Sequence, residues 1–131
     1  MIYLVGYNGS TESKSALSLA RDHAVDSGAK VIVVDSTGGG SKETAEDIKE
    51  AKENLLFAES FLKEMNVDCE CHQLARGMNP GEDLVRFAEE NKADQIYVGI
   101  ELKSRTQKFF IKSNAQHIIL NAHCPVVTVN S

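Results

Sequence analysis

The sequence predicts a doubly wound α/β fold: a five-stranded parallel sheet of order 3-2-1-4-5 with helices on both faces. Three observations carry that expectation. Short β-branched runs alternate strictly with stretches of helical periodicity along the whole chain. The second run is apolar almost throughout, as a strand covered on both faces must be. Parallel neighbours cannot be joined by a tight hairpin, so strict alternation implies helical crossovers.

The first run, IYLVGY at 2–7, ends at Asn8-Gly9, a pair that accepts left-handed backbone angles. Ser10, Thr11 and Ser13 then offer hydroxyl caps to a helix whose Ala16, Leu17, Ala20 and Ala24 share one face up to a stop at Gly28. KVIVVD at 30–35 is the second strand, with Asp35 at its C-terminal end, and STGGGS at 36–41 is too glycine-rich for a regular element. From Thr44 a long helix sets Ile48, Ala51, Leu55, Ala58, Leu62 and Met65 on one stripe.

VDCECHQL at 67–74 alternates, with Val67, Cys69, Cys71 and Gln73 on one side, which suits a strand near the sheet edge. Asn79 as N-cap, Pro80 in the first helical position and Glu82 reaching back start the third helix, buried through Leu84, Val85 and Ala88. QIYVGI at 95–100 is the fourth strand. After a basic loop comes a helix bearing Ala115, Ile118, Ile119 and Ala122, and then PVVTV at 125–129 as the fifth strand.

With 131 residues and 42% hydrophobic content, residues 1–131 are expected to form one domain around one core. The net charge of -5 opposes attraction to nucleic acid or an anionic membrane. No run approaches the ~20 apolar residues of a membrane helix, and the start resembles no leader, so a cytoplasmic location is expected. The odd set of Cys69, Cys71 and Cys124 argues against a disulfide framework. Cys69-x-Cys71 followed by His72 lacks a second pair at finger-like spacing, so no metal site is read. His23, His72, His117 and His123 are dispersed and no nucleophile elbow is present, so no catalytic residue is assigned.

In sheets of this order ligands sit beyond the carboxyl ends of strands 1 and 4. The loops after Tyr7 and after Gly99 therefore flank any site. Asn8-Gly9-Ser10-Thr11 reads first as a turn with a helix cap and only then as a ligand contact, whereas the cations at 103–108 read equally as a solvated loop.

The YNGS turn, the segment Gly77 to Pro80, the strand-loop-helix GIELKSRTQKFFIKSNAQHII and the closing HCPVVTV together resemble the universal stress protein family over nearly the whole chain. That resemblance implies an adenine nucleotide alpha hydrolase-like, Rossmann-type fold, with ATP or another adenine nucleotide as the ligand. It also implies a homodimer formed through the last strand, 125–129. The family's ATP-binding signature, G-x-x-G, nine residues, G-S/T, is matched in part: Gly99 and Ser113 agree, whereas Leu102 and Lys112 stand where glycines belong. A side chain there fills space that a phosphate would use. Lys103, Arg105, Lys108 and Lys112, with Ser113 and Asn114 at the start of a helix, offer charge in place of close backbone contact, for a nucleotide or another anion.

Asn8 replaces the family's acidic residue at the end of strand 1, and Ser36 replaces its usual apolar residue against adenine. The expectation is a dimeric binding or regulatory module with a degenerate cleft. An ATP-binding member with slow hydrolysis is the nearest alternative. A flavodoxin-like electron carrier, prompted by the NGSTES loop, is the other.

Overall fold

The computed structural model describes residues 1–36, 44–101 and 113–130. Its elements run β1 (Ile2–Gly6), α1 (Thr11–Ser27), β2 (Lys30–Ser36), α2 (Ala45–Lys63), β3 (Cys69–Leu74), α3 (Pro80–Glu90), β4 (Gln95–Ile100), α4 (Ser113–Asn121) and β5 (Val126–Asn130). The strands form one sheet in the order β3-β2-β1-β4-β5, and every neighbouring pair is parallel.

Strand periodicity divides the core into two layers. Tyr3, Val5, Val31, Val33 and Tyr97 point to the side that meets Leu17 of α1 and Leu55 and Leu62 of α2. Leu4, Ile32, Val34, Ile96 and Val98 point to the side that meets Leu84 and Val85 of α3 and Ile118 of α4. Successive residues face opposite ways, so the apolar run in β2 feeds both layers at once.

The helix caps follow the local chemistry. Ser10 accepts from the amide of Ser13, and Gly28 closes α1 in the left-handed region at φ 74°. Thr44 and Asp47 exchange side-chain and backbone bonds at the start of α2. Asn79 is the N-cap of α3 with Pro80 behind it, but its side chain makes no cap bond and lies 3.5 Å from Glu82 Oε1 instead. The expected reach of Glu82 back to the backbone is thus replaced by a side-chain contact.

Boundaries shift for identifiable reasons. Tyr7 lies past the end of β1, although its amide still donates to the Val34 carbonyl at 2.9 Å. Val67 is buried but belongs to the turn closing α2, where its amide donates to Leu62, so β3 starts at Cys69. β5 runs 126–130 because Pro125 contributes only its carbonyl, accepting from Ile96. The α2 stripe is buried at Ala51, Leu55, Ala58 and Leu62, whereas Ile48 in the first turn and Met65 beyond the helix end are exposed. Ile119 on α4 is likewise exposed, leaving Ala115 and Ile118 as that helix's buried residues.

Candidate functional site

A cavity of about 250 Å³ opens at the carboxyl ends of β1 and β4. Its floor is apolar, formed by Val34, Leu84, Val98, Ile100 and Ile118. Its rim draws on the first turns of three helices: Ser10, Glu12 and Ser13 from α1, Pro80 and Gly81 from α3, and Asn114 and Ala115 from α4. Helix amino ends carry partial positive charge and unpaired amides, so their convergence favours an anionic or acceptor-rich ligand. Asp35, buried at the end of β2, and Glu12 and Glu101 add carboxylates to the same wall.

The turn after β1 is held by a compact set of bonds. The Asn8 Oδ1 accepts from the Ser10 amide at 3.0 Å, and the Asn8 amide donates to Ser13 Oγ at 3.4 Å. Ser13 Oγ in turn donates to the Ser10 carbonyl at 3.0 Å. The Asn8 side-chain oxygen is thus engaged by the turn itself.

The glycines at the cavity answer to close packing. A Cβ at Gly99 would lie 2.3 Å from the Glu12 carbonyl, and one at Gly81 would lie 2.8 Å from the Asn114 carbonyl. The Gly81 amide donates to Asn114 Oδ1 at 3.2 Å, tying the first turn of α3 to that of α4. Behind Gly81, Arg76 binds the fully buried Asp83 through Nε at 2.6 Å and Glu90 through Nη1 at 2.6 Å, setting the loop that leads into α3.

Of the residues expected from the sequence, Asn8, Gly99 and Asn114 line this one cavity. Ser113 opens α4 and is exposed, without being among the described lining residues. Ser36 ends β2 opposite Leu74. Leu102, Lys103, Arg105, Lys108 and Lys112 lie outside the described residues, as does most of the 36–41 loop.

Glu12, Asp35, Gly81 and Glu101 line the cavity in addition to the residues expected from the sequence. The signal for Asp35 was its place at the carboxyl end of a strand beside the switch point. Gly81 gave none, because Asn114 is 33 positions away.

Among the described residues no group of three or more His, Cys, Asp or Glu could hold a metal. Cys69 and Cys71 are free and half-buried, and burial pushes the Cys71 thiol up to about 12. Such a thiol is a poor nucleophile and a poor ligand at neutral pH. None of the histidines is among the described lining residues. No described helix is long and apolar enough to cross a membrane.

The family model described as "Universal stress protein family" matches residues 2–130. A universal stress protein of Methanocaldococcus jannaschii is 30% identical over 124 residues, covering 89% of this chain and 72% of that protein. The solved structure of a universal stress protein from Archaeoglobus fulgidus superposes with a TM-score of 0.90 at 37% identity, covering 98% of each chain. A universal stress protein structure from the same organism in complex with dAMP superposes with a TM-score of 0.83 at 35% identity, covering 98% of this chain and 97% of that one.

Proposed function

The chain belongs to the universal stress protein family, and from that premise we propose that residues 1–131 act as one domain, a dimeric cytoplasmic module that holds an adenine nucleotide in the switch-point cleft and does not turn it over. The observation that carries this reading is the cavity where the amino ends of α1, α3 and α4 meet beside Asn8 and Gly99. The similar Archaeoglobus protein in complex with dAMP supports an adenine nucleotide as the occupant.

The volume of about 250 Å³ lies just below the ~300–1,000 Å³ usual for small-molecule sites. The described walls thus suit the base and sugar of such a nucleotide. From the sequence, Lys103, Arg105 and Lys112 are the cations proposed to attract the phosphates, with Leu102 and Lys112 at positions where the family signature has glycines. On this reading, loose electrostatic attraction replaces snug backbone contact with the phosphates.

The two edges of the sheet differ chemically, which supports dimerisation through β5. Beside the β3 edge, Lys30 pairs with the exposed Glu70, and His72 contacts the same carboxylate at 3.1 Å. Charges of this kind discourage edge pairing. β5, Val-Val-Thr-Val-Asn, carries no charge, and Leu120 on the preceding helix is 80% exposed.

Calorimetric titration with AMP, ADP and ATP tests the ligand, and a flat trace at millimolar nucleotide overturns it. Phosphate release from ATP tests turnover. Lys112→Gly should weaken ATP more than AMP if Lys112 supplies charge. Sedimentation equilibrium should give a dimer, and a monomer at every concentration would remove the β5 interface.

A further inference from the structure

Asn54 and Phe57 sit on the third and fourth turns of α2, outside the described cavity lining, yet both reach the turn that carries Asn8. The Asn54 Nδ2 donates to the Asn8 carbonyl at 3.2 Å. The same side chain occupies the space beside Gly9, where an added Cβ would lie 2.6 Å from Asn54 Oδ1. Gly9 has φ +82°, a left-handed conformation that glycine adopts without steric cost and a side chain would strain. Three residues further along the helix, the Phe57 ring stacks on Tyr7 with centroids 6.4 Å apart and planes 16° from parallel. Lys14 of α1 lies over the same ring at 5.5 Å.

From this geometry we infer that Asn54 and Phe57 are positioning residues, which hold the Tyr7–Ser10 turn in the form that receives the ligand without touching it. The inference rests on the nucleotide reading of the cleft. The Asn8 side-chain oxygen accepts from the Ser10 amide within the turn, whereas the Asn8 carbonyl is anchored from outside it, by Asn54 of α2. Losing it lets the turn sample other conformations, and the apparent affinity falls by the fraction that remains competent. Leu56, 65% exposed on the same helix, lines no part of the cavity and serves as the neutral control.

The test is titration with AMP and with adenosine by calorimetry on the full chain and on Asn54→Ala, Asn54→Asp, Phe57→Ala and Leu56→Ala. Alanine is the best helix former, so Asn54→Ala keeps α2 intact. Asn54→Asp keeps the shape and removes the donor. A residue that merely filled space would leave Asn54→Asp at its wild-type affinity for adenosine, which has no phosphate for the new carboxylate to repel. A positioning residue costs about threefold to tenfold in both Asn54 variants, the value of one neutral hydrogen bond. Amide exchange should accelerate at Ser10 in the Asn54 variants while Leu4 and Val5 in β1 stay protected. Equal AMP affinity in wild type, both Asn54 variants and Leu56→Ala overturns the inference. Wild-type protein that binds no AMP overturns the nucleotide reading beneath it.

Discussion

Gly99 and Glu12 are in such close contact that the strand residue has no room for a side chain: a Cβ at Gly99 would lie 2.3 Å from the Glu12 carbonyl carbon and oxygen and 2.6 Å from the Ser13 nitrogen. The first glycine of the partial nucleotide signature is therefore required by the packing of α1 on β4. Its role in shaping the cleft follows from that packing.

Gly99→Ala is expected to destabilise the fold, because the obstructing atoms are backbone and cannot step aside. Overpacking of this kind costs about 3 kcal/mol, the upper end of its usual range. Urea unfolding measures it directly, and an unchanged midpoint would show that α1 can shift away from β4 without loss.

Arg76→Ala is expected to cost about 2 kcal/mol. Asp83 is fully buried, and Arg76, about one-third exposed, reaches its carboxylate through both Nε and Nη2, at 2.6 and 2.5 Å. Removing one partner of a buried pair costs more than the pair itself contributes, with a discount here for the solvent that screens Arg76. Arg76→Lys recovers only part of the loss, since an ammonium cannot reproduce the fork that also reaches Glu90. Thermal or urea unfolding of the two variants checks the order.

The carboxyl of Glu70 is held below the ordinary carboxylate value, first by its hydrogen bond from Lys30 and then by that from His72. A carboxyl whose folded value is depressed contributes stability above its unfolded value, and that contribution fades as pH falls through the folded one. In Lys30→Met the Glu70 midpoint should therefore rise toward the ordinary value of about 4.3. Carbon-detected NMR titration of the glutamate carboxyls reads it, and an unmoved midpoint would show that Lys30 does not act on Glu70 in solution.

Much of the architecture was legible in local patterns. The β-branched run at 30–35 announced a strand buried on both faces, and Ser10, Thr44 and Pro80 marked helix starts that the structure places at those residues. Local signals misled where a neighbour outweighed them. Val67 has strand character but is captured by the turn closing α2. Met65 continues the helical stripe by spacing, but α2 ends at Lys63 and leaves it exposed. The site was legible only along the chain: Asn8, Gly99 and Asn114 could be named from their places beside the switch point, whereas Gly81 became a lining residue through a distant partner.

By itself the sequence determined the order of strands and helices and the family, because periodicity, caps and motif spacing are properties of nearby residues. Tertiary structure alone decided that Gly99 serves the approach of α1, that Gly81 joins α3 to α4, and that Asn54 braces the turn at Asn8. Those relations depend on which backbones are pressed together across 33 to 87 positions of chain, and no local pattern carries that information.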